Sequence, residues 1–313
     1  MGVVVVSRRG WALFAAMCVI WGIPYLLIRV AVRDVSPGTL VFLRTAIGGG
    51  VLLPLALRSG GFGPVLRHWK PLVAFAAGEI AIPWLLLGDA EQRLPSSLTG
   101  LLIAAVPLVG VVAGRLTGTG DHVDRRRWAG LLLGLVGVGL LVGLDLGGIS
   151  ALALVEVGLT VIGYATAPII MSKYLADLPR FPVICAALLL SAAAWAPYGL
   201  THWPRHVAAT GVASIVVLGL VCTALAVVVF FALIADIGPA RATVITYVNP
   251  AIAVVLGLLL LNEQFTVGMG VGFPLILIGS VLAASVGRPA GATAPAADAG
   301  EPGRLAASGA PGT

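Results

Sequence analysis

Apolar runs of about twenty residues recur along nearly the whole chain, broken only by short polar punctuation, and no other feature narrows its fold so far. A helix needs about 20 mostly apolar residues to cross the hydrocarbon core of a bilayer. On that ruler ten segments stand out: 11–30, 38–57, 71–88, 95–114, 128–144, 149–172, 182–200, 209–234, 239–260 and 267–286. The breaks are marked by Pro, Gly or charge: Arg33-Asp34 with Ser36-Pro37-Gly38, Arg58-Ser59-Gly60-Gly61, Asp89 to Pro95, Thr117 to Arg127, and Pro204-Arg205-His206. None is long enough to fold as a separate domain. With 59% hydrophobic and only 10% charged residues, the chain could not cover itself with polar surface. A soluble globular enzyme is excluded, and an all-α integral membrane protein of about ten transmembrane helices is expected.

The formal net charge of +6 would suggest nucleic acid in a soluble protein, but the basic residues sit in the breaks, with no patch interleaved with aromatics. No nucleic-acid partner is expected, and the charge reads instead as orientation. With a cytoplasmic amino terminus, the inside segments carry Arg8, Arg9, Arg58, Arg67, Lys70, Arg115, Arg125 to Arg127, Lys173, Arg180, Arg241, Arg288 and Arg304. The outside segments hold Arg29, Arg33, Arg93 and Arg205. This asymmetry predicts both termini in the cytoplasm, hence an even number of spans. Residues 1–10 read as a cytoplasmic amino terminus. Arg8 and Arg9 resemble the basic end of a signal peptide, but the apolar stretch is too long and lacks a small-x-small cleavage site, so an uncleaved first span is expected. The tail at 287–313 is Ala, Gly and Pro with scattered charge and reads as disordered. Cys18, Cys185 and Cys222 each lie inside an apolar run without a CxxC pair or a neighbouring His, so neither a disulfide framework nor a metal site is expected. No cofactor motif is present.

An internal repeat runs through the spans. Leu94-Pro95-Ser96-Ser97 leads to Ala105-Val106-Pro107, as Ile237-Gly238-Pro239-Ala240 leads to Val248-Asn249-Pro250, an offset of 143 residues. The same offset aligns Trp21 of Ile20-Trp21-Gly22 with Tyr164 of Gly163-Tyr164-Ala165, and with one residue of slip Gly130 and Gly137 match Gly272 and Gly279. The chain therefore reads as two five-helix units, 11–144 and 149–286. An odd number of spans per unit makes the second copy enter from the opposite face. Such inverted repeats are a construction of secondary transporters, with a site near the midplane between the halves.

These residues resemble the EamA-type branch of the drug/metabolite transporter superfamily, over residues 11 to 286. The marks are Trp21-Gly22-Ile23-Pro24-Tyr25 with Arg29, Phe42-Leu43-Arg44, Ala104-Ala105-Val106-Pro107, and the ninth helix with its exit, Gly238-Pro239-Ala240-Arg241-Ala242, Asn249-Pro250 and Leu260-Leu261-Asn262-Glu263. One departure stands out: Gly114-Arg115-Leu116 occupies the place where the family often has a Gly-Glu pair, whereas Glu263 keeps the acid in the second copy. The resemblance implies a ten-helix carrier, commonly an exporter of amino acids, nucleobases, other metabolites or toxic compounds, some members running as proton antiporters. It also implies a central cavity lined mainly by helices one, three, four, six, eight and nine.

Ionisable residues inside the membrane are costly and are the first functional candidates. Glu79, in Gly78-Glu79-Ile80-Ala81, lies mid-span, too deep to snorkel, so its carboxyl is either paired or protonated, the property a proton-coupled carrier needs; an interhelical bond is the structural alternative. Arg44 sits six residues into the second segment, as an anion contact, a partner for Glu79 or Glu156, or a side chain snorkelling to the headgroups. Glu156 lies two turns into the sixth segment, where it reads as a substrate-amine contact or as a shallow residue reaching interfacial water. Pro24, Pro107 and Pro250 are hinge candidates, the last two because both copies have them; Pro83, Pro168 and Pro274 also fall inside spans, where neighbours can satisfy the freed carbonyls. Gly130, Gly134, Gly137, Gly139 and Gly143 form a small-residue face for close helix packing or a homodimer seam. Trp21, Tyr25, Trp84, Tyr164, Tyr247 and Asn249 are cavity-lining candidates, and Trp11, Trp69, Trp128, Trp195 and Trp203 fit an interfacial belt.

The leading expectation is a secondary carrier in the cytoplasmic membrane, exporting a small metabolite by alternating access, with proton exchange as the coupling that Glu79 would serve. Its partners would be a small-molecule substrate, protons and the bilayer, and the chain would work as a monomer or homodimer. A channel or a non-transporting structural membrane protein is the alternative. An intramembrane lipid-modifying enzyme would need a catalytic cluster, whereas His68, His122, His202 and His206 lie in or beside loops and no HExxH or paired-Asp motif occurs, so no enzyme is expected. No Walker-type loop occurs for primary active transport.

Overall fold

The computed structural model describes residues 7–118, 124–143, 150–242 and 244–284. The 287–313 tail, most of the amino-terminal stretch and His122 lie outside these. Among the described residues the chain is helical, with no strand. Eight helices are long and apolar enough to cross a membrane: α1 (Arg8–Ala31), α2 (Pro37–Arg58), α3 (Trp69–Ala90), α4 (Ser96–Leu116), α5 (Arg125–Gly143), α6 (Ala151–Tyr174), α7 (Arg180–Thr201) and α8 (Ala209–Ile237). Two shorter apolar helices, α9 (Ile245–Leu260) and α10 (Val267–Ala284), complete the bundle.

Local chemistry starts and stops these helices. Ser7 accepts a hydrogen bond from the Gly10 amide at 2.8 Å at the head of α1. Ser36 caps α2 just ahead of Pro37, and Ser150 caps α6, each satisfying an amide the first turn leaves free. At the other end of α8, Gly238 takes φ +84°, a conformation that side chains resist. It turns the chain into Pro239 and a four-residue turn, Pro239–Ala242, before α9 proper begins. The single segment expected over 239–260 is therefore two pieces.

Breaks inside the spans follow proline unevenly. α1 is interrupted at Ile23, immediately before Pro24. α4 is interrupted at Ala104-Ala105, before Val106-Pro107. α9 runs unbroken through Pro250. Two further irregularities carry no proline of their own: α3 widens to a π-helix over Ala77–Ala81 and α8 over Leu220–Leu225, segments that begin 143 residues apart.

The helices pack in a regular scheme. α2 lies against α7, α4 against α9, and α5 against α10; α3 packs on α6 and α1 on α8; α1 also meets α9, and α6 meets α4. The glycine face of α5 is spent inside the molecule. A Cβ on Gly137 would lie 2.7 Å from the Ile276 amide nitrogen and 2.8 Å from the Gly272 carbonyl oxygen of α10. Gly139 and Gly143 face open space. Leu132, Leu135, Leu159 and Leu259 are exposed and give the bundle a lipid-facing skin, and Trp11, Trp69, Trp128 and Trp203 are exposed near helix ends. Trp195 differs from the belt expected of it. Its indole nitrogen donates to the Ala81 carbonyl at 3.1 Å, so it is spent at the end of the π-helix in α3, where the i→i−4 pattern is disturbed.

Candidate functional site

Arg44 is the centre of the polar interior. It is 7% exposed, and two elements position it. Its Nε donates to Thr223 Oγ1 at 3.0 Å, while the Thr223 hydroxyl donates to the Leu218 carbonyl at 2.8 Å. Thr223 belongs to the π-helix of α8, so that irregularity turns a hydroxyl lone pair toward α2. The close approach of α2 to α8 is made possible by Gly48 and Gly219, where added side chains would run into Thr223 and Ile47 respectively. The guanidinium carbon of Arg44 stands 3.6 Å from the centroid of the Trp84 ring in α3, a cation–π contact of the desolvated kind. Tyr25, Tyr164, Cys222 and Glu91 lie within electrostatic reach of it.

Glu79 sits in the π-helix of α3. Its Oε2 is shut away from solvent without a hydrogen-bond partner. Tyr164 of α6 lies beside the Trp84 indole and within electrostatic reach of both Glu79 and Arg44. The α3–α6 contact is tight where it matters: an added Cβ at Gly163 would sit 3.0 Å from Pro83 Cγ. Chemically, the cluster offers a fixed cation, two phenols, an indole face and a carboxyl with a free oxygen.

A second polar group lies at the bundle face that carries the α3–α4 and α9–α10 turns. Glu156 pairs with Arg93 at 2.6 Å, and Arg93 also pairs with Asp89. Glu156 is therefore bound to the α3–α4 turn rather than to Arg44. Arg29 donates to the Glu91 backbone carbonyl. The Glu91 side chain is fully buried, with neither carboxylate oxygen hydrogen-bonded. Glu263 accepts from the Ser96 amide at 2.7 Å, the Ser96 hydroxyl at 2.9 Å and the Ser97 amide at 3.0 Å. An acid from the end of α9 thus caps the start of α4, where free amides and the helix dipole favour a negative charge. Among the described residues no group of three or more His, Cys, Asp or Glu gathers as metal ligands do.

The other sequence candidates divide. Tyr25, Trp84 and Tyr164 join Arg44. Trp21 packs at a tilt against Phe230 of α8 with centroids 4.7 Å apart, part of an apolar cluster of α1, α8 and α9. Asn249 is buried beside α1, with its amide nitrogen within reach of the Cys18 carbonyl at 3.2 Å and the Ile245 carbonyl at 2.9 Å, so it ties α9 to α1. Tyr247 is half-buried on α9. Pro24 and Pro107 stand at helix breaks and Pro250 within a helix. Sequence reasoning did not single out Thr223 or Glu91. Thr223 is one threonine within an apolar run, and Glu91 stands in a polar break where water is the expected partner.

Two segments of the chain, residues 8–143 and 152–285, match the EamA-like transporter family. The chain is 28% identical over 258 residues to an uncharacterized inner membrane transporter, YedA, of Escherichia coli K12, covering 79% of this chain and 80% of that protein. The same protein from Escherichia coli O157:H7 matches equally. A solved crystal structure superposes with a TM-score of 0.64 at 20% identity, over 89% of this chain and 98% of its own, a likeness of fold. A multi-pass helical membrane protein in which the family matches nearly all of the spanning region has one reading: the chain belongs to the EamA-like transporter family.

Proposed function

We propose that this protein is a secondary carrier of the cytoplasmic membrane that exports a small metabolite by alternating access, in exchange for protons. Substrate is held between α2, α3, α6 and α8 at Arg44, Trp84 and Tyr164, and Glu79 carries the proton. The observation that carries this reading is the convergence of Arg44 and Glu79 on paired π-helical segments, deep in helices that have no structural need for charge. π-bulges recur at functional sites, and an ionisable group inside a membrane is a functional candidate by default. The second polar group supports alternation: Glu263 on α4, Arg29 on Glu91 and Arg93 on Glu156 tie together one face of the bundle.

The test is flux in proteoliposomes loaded with a panel of amino acids, nucleobases and cationic and anionic drugs, with and without an imposed pH gradient. The expected outcome is gradient-driven flux of at least one compound, with loss of the gradient response in Glu79→Gln, which keeps the size of the side chain and cannot ionise. Gradient-sensitive flux that survives unchanged in Glu79→Gln overturns the coupling role of this residue.

A further inference from the structure

We propose that the Arg44 site seats a monovalent organic anion, a small carboxylate whose body lies against Trp84 and the phenols of Tyr25 and Tyr164; this rests on the carrier reading of the same site.

A guanidinium carries five N–H donors in a planar fork. Arg44 spends only the Nε donor, on Thr223, and among the described residues its terminal nitrogens make no hydrogen bond. Nor, among the described residues, does it pair with any carboxylate within ion-pair distance: the salt bridges belong to Arg93, which is exposed at the bundle face. A buried cation without a counter-ion is expensive. An arginine whose task was to fasten α2 to α8 would be expected to use its fork, whereas here the single Nε bond and the Trp84 stack fix the plane of the guanidinium and leave the edge that matches a carboxylate unengaged. Trp84 orients the cation from one side, so a ligand approaches in the plane of the fork, beside Tyr164.

The charge count sets the class. The groups within reach of Arg44 are Cys222, Tyr164, Tyr25 and the carboxyl of Glu91, with no second cation among them. A phosphate dianion would call for two positive partners. One carboxylate neutralises one guanidinium and leaves the neighbouring phenols to donate hydrogen bonds to it. A cationic substrate would meet Arg44 head-on.

The experiment is a thermal-shift titration of the full chain in detergent, using matched pairs of a carboxylate and its primary amide: acetate, phenylacetate, benzoate, indole-3-acetate and the N-acetyl amino acids. At least one carboxylate is expected to raise the melting temperature in a saturable way, while its amide does not. Arg44→Gln is expected to weaken that carboxylate by about tenfold or more, the loss of a charge-assisted pair. Should Arg44→Gln not fold, two milder variants read the same contact. Arg44→Lys keeps the charge and loses the fork, and Thr223→Val frees the Nε; both are expected to weaken the carboxylate while leaving helicity unchanged. The inference is overturned if no carboxylate shifts the wild type, if amides act equally, or if binding ignores the variants that fold. Counterflow in proteoliposomes separates the two claims. Flux of neutral or cationic compounds that ignores Arg44→Gln removes the anion site and leaves the carrier. Carboxylate binding without flux of any compound leaves the anion site and removes the carrier.

Discussion

Glu91 concentrates the physical tension of this molecule in one side chain. Burial pushes its carboxyl well above the ordinary range and the nearby Glu263 adds to this, while Arg29 and Arg44 oppose it. Its folded pKa therefore exceeds the unfolded value of about 4.3, and the folded protein holds more protons than the unfolded chain. Stability from this group is greatest below that unfolded value and falls as pH rises toward the folded pKa. Glu91→Gln removes the ionisable group while keeping its shape. It is expected to raise the melting temperature at pH 8, because the amide has no proton to lose in the buried site, and to have little effect at pH 4. Melting curves of both proteins in detergent at the two pH values check this; equal pH slopes would count against it. Glu79 and Glu91 also mark the boundary of what one sequence reveals. The depth of Glu79 is legible because no other charge falls between Lys70 and Asp89. The burial of Glu91 is not, because a break in hydropathy promises water, and only the packing of the α3–α4 turn into the bundle takes it away. Arg44 lay between these cases: its place in the second span was visible, but its partners, Thr223 and Trp84, are 179 and 40 residues away.

At the scale of the helix, the positions of spans were legible and their irregularities were not. Eight of the ten segments reappear among the described residues as helices long and apolar enough to cross, and 239–260 and 267–286 as shorter apolar helices, the former preceded by a separate turn. Proline was a weaker guide: it marks the breaks in α1 and α4, yet Pro250 stays in a continuous α9, and the π-helices of α3 and α8 have no sequence signature beyond their shared offset. Glycine gave a sharper signal, since the α5 face that could have been a seam between two chains is occupied by α10. Helices brought this close lose their packing when a side chain is inserted. Gly137→Leu places atoms against the backbone of Ile276 and Gly272 and is expected to cost about 1–3 kcal/mol, the range for overpacking, seen as a lower melting temperature and reduced yield of folded protein. Gly139→Leu, on the open side of the same helix, is the control and should melt near the wild type. Equal loss in both variants would show that α5 does not depend on this contact.

Across the whole molecule, the main helix pairs follow a pattern that one duplicated unit would impose. Exchanging each helix for the one five places along returns several of the main pairs: α2 with α7, α4 with α9 and α5 with α10 map onto themselves, α3–α6 maps onto α8–α1, and α1–α9 maps onto α6–α4, whereas α2–α3, α1–α4 and α4–α10 have no counterpart of similar extent among the described residues. The paired π-helices obey the same exchange. This supports the inverted-repeat reading, in which a two-fold axis in the membrane plane relates the halves and the closing of one face implies a matching opening of the other. The side chains break the symmetry where function needs it, since Glu79 in the first copy corresponds by offset to Cys222 in the second, and Arg44 to Ala187. Which face is which then rests on the basic residues, and it is directly testable. Asp177, in the α6–α7 turn, and Arg205, in the α7–α8 turn, are both exposed and lie on opposite faces. In intact spheroplasts a membrane-impermeant maleimide is expected to label Arg205→Cys and to spare Asp177→Cys until the membrane is opened, with the buried Cys18, Cys185 and Cys222 contributing little background. The reverse pattern would turn the molecule over, so that the face tied by Glu263, Arg29 and Arg93 would be cytoplasmic. Labelling of both positions from outside would break the alternation of spans on which the two-unit reading depends.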